Sequence, residues 1–299
     1  MKTLTKKLQV VGNIGLVQFG TLEDEGFGFK PAGPAIEKGN LIIKEARAEG
    51  TVSKLLAINE TTDYLLLTDM DILKGAKQNR VINVSVLLAP MSKTEMDVSC
   101  VERLRWDYTS PDFKISDEGM DLDMRSAKAS SLKSEAQGSF EEENVQSRMW
   151  NMVSSKMSAM GFSNATEDYE QFLRKGRKRK WSERRIVADK LCNGLAVFMD
   201  GQIMSVDLFG NRNVYAYYFP KLSDAVKRNA NMEEKKIDQA EAFYRLDEFL
   251  DNLQFVELPE NKTIQGAGSL MMIKQENIPG FRLSFKNQEV HLAAFIKIA

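Results

Sequence analysis

The stretch Leu195-Ala196-Val197-Phe198-Met199-Asp200-Gly201-Gln202-Ile203-Met204-Ser205-Val206-Asp207-Leu208 decides the fold class. Two apolar runs flank an Asp-Gly pair, and both central residues of that pair accept the positive φ of a tight hairpin. Residues 195–199 and 202–208 are therefore expected as antiparallel strands. Downstream, residues 214–219 read as a further strand, and residues 270–295 as strands broken by Pro279-Gly280 and Asn287. Between them, residues 232–253 read as a helix, with Ile237, Ala240, Tyr244, Phe249 and Leu253 on one apolar side.

Upstream of the hairpin the periodicity is helical. Val145, Met149, Val153, Met157 and Met160 recur at spacings of four and three, and Gly161 supplies the stop. Residues 166–174 and 182–192 are expected as shorter helices, the second capped by Ser182. The first third reads as β, in runs 41–46, 54–59, 64–73, 81–89 and 96–102. Ile82, Val84, Val86 and Leu88 alternate as a half-buried strand requires. Residues 109–138 are rich in Ser, Lys, Asp and Glu and are expected as a polar crossing loop. The expectation is an α+β fold: an antiparallel β-rich, sandwich-like N-terminal part packed with a helical and β-hairpin C-terminal part. Residues 1–299 are expected as one integrated unit with sub-regions 1–108, 109–138 and 139–299.

Composition removes several functions. The chain has 299 residues, 41 basic and 42 acidic, with a formal net charge of -1. That balance offers no global attraction to nucleic acid or an anionic membrane. No apolar run is long enough to span a bilayer, and no secretory signal opens the chain. Two cysteines, Cys100 and Cys192, make no disulfide framework, so a cytoplasmic setting is expected. The single histidine, His291, cannot make the usual zinc sites, and no metal site or cofactor is read from the sequence.

Two polar runs interrupt apolar strands. Lys77, Gln78, Asn79 and Arg80 follow Gly75-Ala76; their cations suit phosphate or carboxylate oxygens and their amides suit amide or base edges, while a polar hairpin loop in solvent is the favoured reading from sequence alone. Glu102 closes Val98-Ser99-Cys100-Val101-Glu102 and could serve with His291 as an acid–base pair. The two runs are expected to meet in one concave site. Cys100 is expected as a buried thiol with no activating neighbour in its own strand. A third run, Arg174-Lys175-Gly176-Arg177-Lys178-Arg179-Lys180-Trp181, could hold a nucleic-acid backbone, but a solvated connection between helices is the favoured reading.

Several segments together resemble the ARG and Rhodanese-Phosphatase-superfamily-associated protein family. They are Lys44-Glu45, then Leu73-Lys74-Gly75-Ala76-Lys77-Gln78-Asn79-Arg80, then Ser99-Cys100-Val101-Glu102 with Arg105-Trp106. Arg125, Gln146 with Trp150, Gly194, Asp207-Leu208-Phe209 and Val290-His291-Leu292 with Phe295 follow in the family's order. One departure stands out: Thr68-Asp69-Met70-Asp71 occupies a place where a Glu is expected. The family is named for association with ADP-ribosylglycohydrolases and a phosphatase of rhodanese-like type. The resemblance thus implies, by association, a protein acting on or binding a nucleotide-type metabolite, NAD-derived or ADP-ribosyl, and carries no established reaction. A non-catalytic binding or interaction module is the alternative, and nucleic-acid binding the outsider. Trp106, Gly194 and Phe209 are expected to be structural.

Overall fold

A computed structural model describes residues 2–21, 27–47, 49–136, 144–176, 186–228, 236–257 and 265–297. In chain order the first elements are β1 (Thr5–Val11), β2 (Ile14–Gly20), β3 (Lys30–Pro31), α1 (Gly33–Glu37), β4 (Leu41–Glu45) and β5 (Lys54–Asn59). Next come β6 (Leu65–Leu67), β7 (Asp71–Gly75), β8 (Arg80–Ile82), β9 (Val86–Leu88), β10 (Ser92–Cys100), β11 (Phe113–Gly119), α2 (Leu122–Ala136), α3 (Val145–Ala159) and α4 (Tyr169–Gly176). The last are β12 (Gly194–Met199), β13 (Gln202–Phe209), α5 (Arg212–Lys227), α6 (Gln239–Asn252), β14 (Phe255–Glu257), β15 (Ser269–Ile273), β16 (Gly280–Phe285) and β17 (Gln288–Phe295). The class is α+β. No helix among the described residues is long and apolar enough to cross a membrane.

The chain divides into two compact units. The first takes residues 1–28, 184–261 and 268–299; the second takes residues 29–183 and 262–267. The first unit is built on one antiparallel sheet in the order β1-β2-β12-β13-β17-β16-β15-β14. Val17, Phe19, Ala196, Val206, Leu208 and Leu292 meet Ala242, Leu246 and Leu250 of α6 on one face. Gln18 points the other way along β2 and accepts a hydrogen bond from Tyr215 of α5, so α5 covers the opposite face. Two covered faces explain why every residue of β2 is buried.

The second unit holds a sheet in the order β11-β7-β8-β10-β5-β4 and a small sheet in the order β3-β6-β9. Leu73, Ile82 and Val98 face one apolar cluster, shared with Leu65, Leu67 and Val86 of the small sheet. Ile72 and Val81 face the other, where Met124, Met149, Val153, Met157 and Leu173 of α2, α3 and α4 cover them. The hairpin at Asp200-Gly201, the helix at α3 and the strands at β4 and β5 follow the sequence reading.

Four readings need correction. Residues 109–138 are not a loop: β11 and all of α2 lie there. Their polarity misleads because α2 buries polar side chains, Arg125 in a fork on Asp69 and Lys128 onto two carbonyls. Residues 214–219 are helical, within α5. Val214, Tyr218, Leu222 and Val226 keep a helical spacing, and Asn211 caps the start by accepting from the Asn213 and Val214 amides. The expected helix 182–192 is irregular over 186–193, and its first residues lie outside the described set. The expected helix 232–253 starts later, at Gln239, behind the Asp238 cap; residues 232–235 lie outside the described set.

Candidate functional site

The site grows from the turn between β7 and β8. Gly75 sits at φ +119, and a Cβ there would lie 2.4 Å from the Ser110 hydroxyl. Only glycine suits that backbone. Asn79 closes the turn: its Oδ1 accepts the Gly75 amide at 3.0 Å. Its own amide donates to Glu102 Oε2 at 3.0 Å, and its Nδ2 donates to Asp168 Oδ1 at 3.0 Å. The two polar runs of the sequence thus meet through Asn79 and Glu102. They border a cleft of about 370 Å³ with Lys74, Lys114, Asp168 and Arg174.

Most of this network is spent on itself. Arg105 donates from Nε to Glu102 Oε1 at 2.8 Å and from Nη2 to Glu102 Oε2 at 2.6 Å. Its Nη1 reaches the carbonyls of Ala76 and Asp107. Both Glu102 oxygens are therefore occupied. Asp168 caps α4 by accepting the Glu170 amide at 2.9 Å. Burial pushes the Asp168 carboxyl above its ordinary value, and the neighbouring Glu102 pushes it the same way.

Arg80 is different. Its side chain is 0% exposed, against 4% for that of Glu45. Nη1 donates to Gln78 Oε1 at 3.1 Å. Nε and Nη2, the side-on fork of the guanidinium, have no hydrogen-bond partner among the described residues. The nearest carboxylate oxygen is Glu45 Oε1, 3.9 Å from Nη2, and Glu45 Oε2 is also without a partner among those residues. Above them lies a cation–aromatic cover. The Trp106 ring centre is 5.6 Å from Arg80 Cζ, and Lys77 Nζ lies 5.3 Å from the Trp106 ring centre and 5.2 Å from that of Tyr108. Lys77 Nζ also donates to the Glu49 carbonyl.

Cys100 pairs with Arg80 across β10 and β8. Burial pushes its thiol up to about 12, with Arg80 opposing and Glu45 and Glu102 adding to the rise. It stays a neutral thiol at neutral pH, which removes it as a nucleophile. Gln146 holds the strand end there, accepting from the Cys100 amide at 2.7 Å and donating to the Cys100 carbonyl at 3.1 Å.

His291 belongs to the first unit, in the interior of its sheet on β17. Its ring stacks on Phe209 at 4.4 Å, and Nε2 lies 3.4 Å from Asp207 Oδ1. Arg174 and Lys175 end α4, while residues 177–181 of the basic run lie outside the described set.

A family model, the ARG and Rhodanese-Phosphatase-superfamily-associated Protein domain (ARPP-1), matches residues 4–295. The chain belongs to that family. No curated protein and no solved structure matches it. The ARPP-1 match takes in both units, so it covers the Arg80 site as well as His291.

Sequence reasoning left three residues of the ARPP-1 chain outside the site. Glu45 carried a signal: Leu41, Ile43 and Glu45 alternate inward on β4, so a carboxylate replaces an apolar side chain on a buried face. Arg105 stands in a segment that carries the family resemblance, though no periodicity points to its partner Glu102; Asp168 carried no signal, because its partner Asn79 lies in a turn.

Proposed function

We propose that this chain binds a small phosphate-bearing metabolite of nucleotide type at the turn of residues 75–80, without catalysing its conversion. The observation that carries the reading is the Arg80 fork, a buried pair of parallel donors that is unmatched among the described residues. Such a fork suits two oxygens of one phosphate, and burial strengthens the attraction. Lys77 adds a second cation, and Gln78 fixes the guanidinium plane through Nη1. Trp106 and Tyr108, 40% and 51% exposed, offer faces on which a base can stack. Beside them a cleft of about 360 Å³, bordered by Glu45, Leu56, Tyr108 and Pro111, has room for the rest of a ligand. The nucleotide part of the reading rests on the association that gives the family its name.

Acid–base catalysis by Glu102 with His291 is the weaker reading. Both Glu102 oxygens already accept from Arg105 and Asn79, so Glu102 is read as a positioning residue. The test is thermal-shift and calorimetric titration with AMP, ADP, ADP-ribose, NAD and inorganic phosphate. At about 100 times its Kd a true ligand adds roughly 2.7 kcal/mol of stability. Arg80→Lys, which keeps the charge and loses the fork, is expected to weaken binding at least tenfold or so. No response to any of the five compounds would overturn the proposal.

A further inference from the structure

We propose that the Arg80 site selects a phosphate that carries a proton, a terminal phosphomonoester or inorganic phosphate, and that Glu45 is the acceptor that reads that proton. The inference rests on the phosphate reading above and narrows it. Arg80 offers two donors through Nε and Nη2; Glu45 offers an acceptor through Oε2, and none of the three has a partner among the described residues. The other oxygen, Glu45 Oε1, accepts the Lys77 amide at 3.4 Å and lies 3.9 Å from Arg80 Nη2, too far for a direct hydrogen bond. A group that satisfies both must accept from the cation and donate to the carboxylate. A P–OH beside a P–O⁻ does both. Sulfate, a phosphodiester and the inner phosphates of a dinucleotide offer acceptors only, and would set lone pairs against Glu45 Oε2.

The charge balance points the same way. Around Arg80 and Lys77 stand Glu45 on β4, Cys100 and Glu102 at the end of β10, and Arg105 and Tyr108 beyond it. Arg105 matches Glu102, and Cys100 is neutral. At the fork itself, Arg80 and Lys77 against Glu45 leave one positive charge, which suits a monoanion there; Lys44 and Arg47 border the adjoining cleft. The cover fits a small head group. Gly50, at φ +77, has its Cβ position 3.5 Å from Glu45 Oε2, 2.9 Å from Lys77 Cδ and 3.3 Å from Trp106 Cζ2. The backbone of that loop therefore lies close over the carboxylate.

The consequence is proton-coupled binding. A phosphomonoester loses its second proton near pH 6. Above that, one proton must enter with the ligand, so affinity falls by up to about tenfold per pH unit between roughly pH 7 and 9.

The experiment is calorimetric titration of the full chain with inorganic phosphate, AMP, sulfate and 3′,5′-cyclic AMP at pH 6, 7 and 8. Phosphate and AMP are expected to bind, sulfate and cyclic AMP more than about a hundredfold more weakly. Glu45→Gln, which places an amide donor at the same position, is expected to admit sulfate and cyclic AMP and to flatten the pH dependence; its unchanged circular dichroism and melting would confirm folding. If the wild type binds sulfate as well as phosphate, proton selection is wrong and the phosphate reading stands. If none of the four binds, and a crystal structure grown in phosphate shows only a water between Arg80 and Glu45, both fall.

Discussion

Lys128 shows what a single buried charge does to the molecule. It sits on α2, 1% exposed, and its ammonium donates to the carbonyls of Asp69 and Ile82. Burial pulls its pKa from 10.5 down to about 7, with Asp69 opposing. The unfolded chain keeps that proton to about pH 10.4, whereas the folded chain sheds it near neutrality. Between those values the unfolded state binds more protons, so this group makes stability rise with pH, at up to about 1.4 kcal/mol per unit. Below pH 7 it contributes no slope. Lys128→Met removes the slope and leaves two carbonyls without their donor, at about 1–3 kcal/mol each. Urea denaturation is therefore expected to show a larger loss for the variant at pH 9.5 than at pH 6.5. Parallel pH profiles for the two proteins would refute the account. The same residue explains why α2 escapes a reading from sequence. Hydropathy treats Lys128, Arg125 and Lys133 as solvated, yet all three are buried, and Arg125 is matched by Asp69.

At the scale of elements, the turn between β7 and β8 is the point on which the site depends. Gly75→Ala would place a methyl 2.4 Å from Ser110 Oγ at a φ of +119. Ser110 cannot retreat freely, because its hydroxyl accepts from Ala76 N and donates to the Asp112 carbonyl. A loss of about 3 kcal/mol is expected, together with loss of phosphate binding, since Arg80 begins the strand that follows. Gly28→Ala, with nothing within 4 Å of the added carbon, is the control and is expected to stay within about 0.5 kcal/mol. Chemical denaturation of both variants decides it. The turn itself was legible, because four polar residues between apolar strands have nowhere else to go. The meeting with Glu102 was expected because polar runs interrupt apolar strands at both places; the pairing of β10 with β8 at Cys100 and Arg80, which brings it about, has no signal in the sequence. The role of Glu102 was not legible. Reading it as a free carboxylate required not knowing that Arg105, three residues on, folds back onto it. The strand reading of residues 214–219 failed for a related reason: aromatic and β-branched residues favour strands locally, and here the cap at Asn211 and a buried helical face outweigh that preference.

At the scale of the whole chain, the strand β2 carries a test of how many cooperative cores there are. Its sheet neighbours are β1, next to it in sequence, and β12, which begins at Gly194. Nothing in residues 14–20 announces a partner as distant as β12; the hairpin with β1 did carry a local signal, Gly12-Asn13 between two apolar runs. The apolar clusters separate by segment: Val17, Phe19 and Leu292 fall in one, while Leu73, Ile82 and Val98 fall in another. Deleting residues 2–20 removes Ile14, Leu16, Val17 and Phe19, all 1% exposed or less. At about 1.5–3 kcal/mol per buried side chain the loss is roughly 6–12 kcal/mol. A domain is stable by only about 5–15 kcal/mol, so the first unit is not expected to fold without this hairpin. It would also leave the apolar run of β12 as a bare edge, open to pairing with other chains. Hydrogen exchange on the truncated chain, kept dilute, reads the outcome strand by strand. Protection is expected to vanish from β12, β13 and β17 and to persist in β5, β8 and β10, whose cores contain no residue from the deleted stretch. Loss of protection in all six strands would instead mean that the 299 residues fold as one cooperative body.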